Sequence, residues 1–149
     1  MHIRKALVDD FTAMLELGRK FYSLTPYQQF VVLDEVSLIR TFKQLADDHV
    51  LLVAEADDKI IGMAGAFIAP LYWNSVWRQG LEVFWWIEPL YRSNGAGTAL
   101  RRALEAAAKS KGADFWHMVA LKDSMSEQVS ALYERDGHKP METVFLKVL

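Results

Sequence analysis

Gly95 and Gly97 stand in the stretch EPLYRSNGAGTALRRAL (88–104), directly after the apolar run VFWWI (83–87). The run reads as the end of a strand, and the periodic residues from 97 onward read as a helix. The first N–H groups of a helix have no carbonyl partners and carry the positive end of its dipole. Aimed at one point, they form an anion site without help from lysine. Glycine also removes the Cβ atoms that would keep a phosphate at a distance. A P-loop requires Gly-Lys-Ser/Thr, and Gly97-Thr98-Ala99 lacks the lysine. The dinucleotide fingerprint requires a third glycine where Leu100 stands, and an acidic residue ending the next strand, which instead begins with Asp114. Two readings remain: a cradle for the pyrophosphate of coenzyme A, or a tight turn that holds no ligand.

The elements that must position this loop follow from periodicity. HIRKAL (2–7) reads as a short strand. Asp9 or Asp10 is placed to cap a helix whose apolar positions Phe11, Met14, Leu15, Gly18, Phe21 and Tyr22 share a face. Ser23-Leu-Thr-Pro26 breaks that helix. Asp34 opens a second one, with Leu38, Ile39, Phe42 and Leu45 on one side. HVLLVAEA (49–56) and KIIGMAGAFIA (59–69) are β-rich runs joined by Asp57-Asp58, which predicts an antiparallel hairpin. An aromatic segment, PLYWNSVWRQG (70–80), leads into LEVFWWI (81–87), whose unbroken apolar character predicts a central strand. The helix from Gly97 runs to about Lys109 with Leu100, Ala103, Leu104 and Ala107 inward and Arg101, Arg102 and Glu105 outward. DFWHMVAL (114–121) is a strand. SEQVSALYERDG (126–137) is a helix ended by Gly137 in a left-handed cap, and METVFLKVL (141–149) is a closing strand.

The predicted order is β-α-α-β-β-β-α-β-α-β. It describes one α/β domain over residues 1–149, with a mixed sheet that is mostly antiparallel at its N-terminal side. The strand-helix-strand crossover should be parallel and right-handed.

Composition narrows the classes. The 149 residues are 52% hydrophobic and 24% charged, with net charge −2, as in a globular domain. No basic stripe accompanies the pairs Arg4-Lys5, Arg19-Lys20 and Arg101-Arg102, so nucleic acid is not an expected partner. No apolar run approaches a membrane span, and MHIRKALVDD lacks the apolar core of an export signal; a cytoplasmic location is expected. With no cysteine there is no disulfide and no cysteine-acyl intermediate. The histidines at 2, 49, 117 and 138 show no metal-ligand spacing, so no metal is expected. His117, inside FWHMV, reads as a packed strand residue.

The stretch Ile87-Glu-Pro-Leu-Tyr-Arg-Ser-Asn-Gly-Ala-Gly97 resembles the signature of the GNAT N-acetyltransferase family. That signature is a strand, a proline, an aromatic, then Arg/Gln-x-x-Gly-x-Gly/Ala opening a helix, with Arg92, Gly95 and Gly97 in its fixed positions. The Ile3-Arg-Lys-Ala start, the Lys59-Ile-Ile-Gly-Met63 strand and the Ala131-Leu-Tyr-Glu-Arg-Asp-Gly137 helix end carry the resemblance over nearly the whole chain. It implies a splayed parallel strand pair whose gap admits the pantetheine arm of acetyl-coenzyme A. Backbone groups around Trp85, Trp86 and Ile87 would pair with that arm. Main-chain N–H groups of Asn94, Gly95, Ala96, Gly97 and Thr98 would hold the pyrophosphate, with Arg92 contributing chiefly its backbone and position, or reaching phosphate with its side chain.

The resemblance also implies that Tyr133 protonates the departing thiolate; the plainer reading packs Tyr133 inward on its helix. The family's asparagine seven residues earlier is here Ser126, which could cap its helix and still touch the cofactor, and its Gly-Phe step is here Gly137-His138. An amine acceptor must lose a proton. Glu82 is the preferred general base, its pKa raised by the flanking Leu81, Val83 and Phe84, unless it faces solvent or binds a cationic substrate. Glu88 is a weaker choice.

The segments implied to shape the acceptor site carry Tyr22, Tyr27, Phe30, Tyr72, Trp73 and Trp77. These could line an apolar pocket, hold a cation on their π faces, or simply pack. The expected function is direct acetyl transfer to a primary amine on a small molecule or protein, within a ternary complex. A non-catalytic acyl-coenzyme A sensor, an interaction protein on the same scaffold, and an enzyme using another acyl donor stand as alternatives. A homodimer is a further expectation from the resemblance.

Overall fold

The computed structural model describes residues 1–122 and 125–149. Strands β1 (His2–Lys5), β2 (Val50–Ala56), β3 (Lys59–Leu71), β4 (Asn74–Ile87) and β5 (Phe115–His117) form one sheet in that spatial order. The first three pairings are antiparallel and β4–β5 is parallel. Helices α1 (Phe11–Tyr22) and α2 (Glu35–Asp48) precede β2; α3 (Ala96–Ser110) links β4 to β5, and α4 (Ser126–Arg135) follows. Among the described residues, no helix is long and apolar enough to cross a membrane.

Local chemistry accounts for the reversals. Asp57 and Asp58 both take left-handed φ, 52° and 57°, the geometry that joins two twisted strands through a two-residue loop. Asp34 caps α2, accepting the Ser37 N–H at 3.1 Å. Gly137, at φ 91°, ends α4 in the left-handed turn, and the His138 N–H reaches back to the Tyr133 carbonyl at 3.0 Å.

The sheet buries both faces, which is why β4 lacks alternation. Phe42, Leu45, Val53, Met63, Phe84 and Trp86 form the core under α1 and α2. Ala64, Ala66, Ile87, Leu100 and Leu104 form the core under α3, with Trp85 packed against it. A bulge governs which β4 residue meets which core. Gly65 opposes Phe84 and Ala66 opposes Glu82, leaving Val83 as the extra residue. Glu82 and Trp85 therefore share the α3 face although they are three apart.

Several expectations require correction. Residues 74–80 are not a loop before the central strand; they extend β4 to 14 residues, paired with β3 around a tip at Tyr72 and Trp73. The run 114–121 keeps only three strand residues, because its neighbour diverges beyond them. Residues 141–149 join no strand ladder among the described residues, so the predicted closing strand is not there. Asp10 does not cap α1; its carboxylate instead takes the Leu7 N–H and the Arg4 guanidinium, both 2.7 Å away. Ile39 is exposed, and Leu17 fills the core position on α1.

Arg101 is the largest reversal. Predicted to face outward, it is 0% exposed, with Asp136 as its ion-pair partner at the end of α4. Burial lowers its pKa. A charge this deep is tolerated only with a counter-ion, so the pair ties α3 to α4.

Candidate active site

The site begins where two strands part. Among the described residues, β4 and β5 are paired only from Gln79↔Phe115 to Leu81↔His117. One residue further along β4, the Glu82 carboxylate takes the place of a strand, accepting the Val119 N–H at 3.1 Å. The Val119 carbonyl is taken by a second side chain, with the Tyr133 hydroxyl donating to it at 3.0 Å. The Trp85 indole N–H donates to the Tyr133 oxygen at 2.9 Å. Two side chains from distant segments thus saturate residue 119 where β5 can no longer pair, and the fork stays open.

Beyond the fork lies a cleft of about 1060 Å³. Glu82, Val83, Trp85, Trp86 and Ile87 of β4 line it, with Arg92, Gly97 and Thr98 at one end. As the second and third residues of α3, Gly97 and Thr98 have N–H groups that no earlier carbonyl of the helix can reach. This is the end of the cleft suited to an anion.

The glycines act differently from their expected roles. Gly95 takes φ 82°, and a Cβ there would meet nothing within 4 Å, so its service is to the left-handed turn that starts α3. At Gly97 a Cβ would sit 3.2 Å from Cζ3 of Trp85, so this glycine makes room for the indole that holds Tyr133.

Electrostatics separate the titratable groups. Glu82 is buried, and desolvation raises its pKa from 4.5 to about 7, against the opposing Val119 N–H. The Tyr133 phenol is pushed up by desolvation and then by the nearby Glu82 charge, so it keeps its proton.

The remaining predicted residues divide. Arg92 lines the cleft, but its Nε–H donates to the Ile87 carbonyl at 2.9 Å and its guanidinium lies 4.5 Å from the Trp86 ring centre. It thereby braces the strand end. The Ala96 N–H donates to the Asn94 side chain at 3.3 Å, and neither residue, nor Gly95, lines the cleft. Tyr133 sits behind the lining; Leu132, Val129 and Gln128 of α4 face the cleft. Ser126 is the first residue inside α4, not its cap, and is also outside the lining.

Tyr22 and Tyr27 line the cleft. Tyr72 and Trp73 pack on each other with tilted rings at the exposed hairpin tip, and Trp77 packs on Phe115; none of the three borders the cleft. Glu88 is ion-paired with Lys20. His117 is on β5 but exposed.

On the opposite wall, sequence reasoning named the tyrosines but missed the aliphatic residues Leu24, Val31, Val32, Leu33 and Leu38 that face the cleft. One signal was in view: FVVL (30–33) is an apolar run in a connection with no strand to belong to. Val119 gave no signal, since only its backbone acts.

Comparison with known proteins agrees with this geometry. The model of the acetyltransferase (GNAT) family matches residues 11–138. No curated protein matches the sequence. Among solved structures, an aminoglycoside 6'-N-acetyltransferase from Acinetobacter haemolyticus is 23% identical, with a TM-score of 0.73 over 100% of this chain and 98% of its own. A predicted acetyltransferase from Clostridium acetobutylicum, solved with acetyl-CoA, is 21% identical, with a TM-score of 0.74 over 99% and 95%. A ribosomal-protein-alanine N-acetyltransferase from Brucella melitensis biovar Abortus 2308 is 17% identical, with a TM-score of 0.72 over 100% of both chains. These likenesses establish a shared fold.

Proposed function

Because this chain belongs to the acetyltransferase (GNAT) family and is an acyltransferase, we propose that it transfers acetyl from acetyl-coenzyme A directly to a primary amine. The parting of β4 from β5 after Leu81 carries the reading. It leaves the strand edge at Trp85–Ile87 free to pair with the pantetheine arm, and it ends at the free N–H groups of Gly97 and Thr98, where the pyrophosphate belongs.

Glu82 is the general base. With a pKa of about 7 it takes a proton from the attacking ammonium, directly or through one water. Nitrogen forms a bond to the thioester carbon, and the carbon–sulfur bond breaks. Tyr133 gives a proton to the departing sulfur, turning from Val119 the hydrogen it now donates there; the second proton lost by the nitrogen restores the phenol, and the first passes from Glu82 to solvent. Trp85 holds the phenol oxygen during that exchange. No cysteine is present to carry the acetyl group, so both substrates occupy the cleft together.

A calorimetric titration with acetyl-coenzyme A, followed by thiol release with a panel of amines, tests the reading. Saturable binding and amine-dependent thiol release are expected. Binding with no release from any amine would instead indicate a sensor, and no binding at millimolar cofactor would end the proposal. Tyr133→Phe should bind the cofactor normally and lose about 10²-fold in kcat; full turnover in that variant would remove Tyr133 from the mechanism.

A further inference from the structure

The acceptor half of the cleft, opposite the β4 edge, comes from the end of α1, the connection after it and the start of α2. Its side chains include Phe21, Leu24, Val31, Val32 and Leu38. Val32 is 93% exposed and Val31 is 57% exposed, so valines line the open side of a cleft with nothing among the described residues covering them.

Most of the polar groups on this wall are already engaged, the half-exposed Tyr27 hydroxyl excepted. The Tyr22 hydroxyl donates to the Val31 carbonyl. The Thr25 hydroxyl donates to the Tyr22 carbonyl at 2.9 Å, and the Thr41 hydroxyl to the Ser37 carbonyl at 3.1 Å. The Ser37 hydroxyl donates to Asp34, whose carboxylate also holds the Ser37 N–H at 3.1 Å. The wall therefore presents chiefly methyl groups and ring faces, with one tyrosine hydroxyl, and its one acid, Asp34, is held by Ser37 at the start of its own helix. At the inner end, by the fork, stands a single buried carboxylate, Glu82. A substrate with several ammonium and hydroxyl groups would leave most of them unpaired against this surface, at a cost each time.

Resting on the acetyl-transfer reading, we propose that the acceptor is a primary monoamine with an apolar alkyl or arylalkyl body. Its nitrogen sits at Glu82 and its body lies along Val31, Val32 and Leu38. Polycationic sugars, polyamines and peptide N-termini fall outside this class.

The test is a kcat/KM series by thiol release at saturating acetyl-coenzyme A. Propylamine, butylamine, pentylamine, hexylamine and 2-phenylethylamine are compared with spermidine, kanamycin and an alanyl peptide. Lengthening the alkyl chain should raise kcat/KM about fourfold per methylene, as each buried CH₂ leaves water. The second group should lie at least about tenfold below hexylamine, since each of its members strands polar groups.

Val32→Asp, at an exposed position, should fold normally and lower hexylamine kcat/KM by about tenfold, through KM, with acetyl-coenzyme A affinity unchanged. A flat alkyl series, an indifferent Val32→Asp, or fastest turnover of kanamycin, spermidine or the peptide would overturn this inference and leave acetyl transfer standing. Loss of acetyl-coenzyme A binding together with silence from every amine would overturn the underlying reading, and this inference with it.

Discussion

The two walls of the cleft are built on opposite principles. On the β4–α3 side the useful groups are main chain: a strand edge without a partner and two N–H groups at a helix start. On the α1–α2 side they are side chains, valines, leucines and tyrosine rings on a connection that belongs to no strand. A main-chain wall recognises what every substrate pair shares, because any residue offers the same N–H. A side-chain wall recognises what differs. Substitutions on the first wall should therefore move cofactor affinity, and those on the second should move amine selectivity.

The largest effect is expected where the walls meet. Glu82→Gln can still accept the Val119 N–H but cannot take a proton, so kcat should fall by about 10²- to 10⁴-fold. The wild-type rise in rate through a pH of about 7 should vanish with it. Acetyl-coenzyme A affinity should hold, and a changed affinity would mean that Glu82 belongs to the cofactor wall. Behind that wall, Asp136→Ala leaves the buried Arg101 with only the longer contact to Glu105 at 3.9 Å and should destabilise the fold by about 3 kcal/mol in a denaturant titration. A loss below about 1 kcal/mol would show that α4 is not anchored by this pair.

Glu82 also predicts a pH dependence of stability. Its folded pKa of about 7 lies above the ordinary 4.5, so folding favours the protonated acid. Below 4.5 both states are protonated and stability is full. Between the two values the unfolded chain ionises first, and stability falls as pH rises, by roughly 3 kcal/mol at the plateau beyond 7. Glu82→Gln should lack this fall, and a wild-type protein equally stable at pH 5 and 8 would contradict the buried carboxylate.

Smaller effects separate the walls more finely. Gly95→Ala places a Cβ in a left-handed turn and should cost about 1–2 kcal/mol of stability and weaken acetyl-coenzyme A binding, leaving the ranking of amines unchanged. Tyr22→Phe removes the bond to the Val31 carbonyl, a loss of about 0.5–1.5 kcal/mol. It should raise the amine KM with no change in cofactor affinity. If these two variants moved the same parameter, the division between the walls would be wrong.

The uneven legibility of the site follows from the same division. The turn that opens α3 could be read because Gly95, Gly97 and the helix start are neighbours in the chain, but the contact of Gly97 with Trp85 could not, since Trp85 enters from another element. Tyr72, Trp73 and Trp77 lie away from the cleft, which the sequence could not show because aromatic content says nothing of which end of a hairpin a residue occupies. Glu82 was singled out for its apolar neighbours. Its pairing with Val119, 37 residues away, carried no local mark.

What the sequence by itself determined is the set of short-range features: the Asp57-Asp58 reversal, the Asp34 cap, the Gly137 terminus, and the order of elements through α4. Backbone sterics and hydrogen bonds within a turn or two decide these, and the residues concerned are adjacent. Only the tertiary structure decided that Arg101 turns inward, that the bulge at Val83 sets Glu82 and Trp85 on one face, and that β5 stops after three residues. Each of these depends on burial and pairing between segments far apart in the chain, where a side chain's surroundings come from the packing and not from its neighbours.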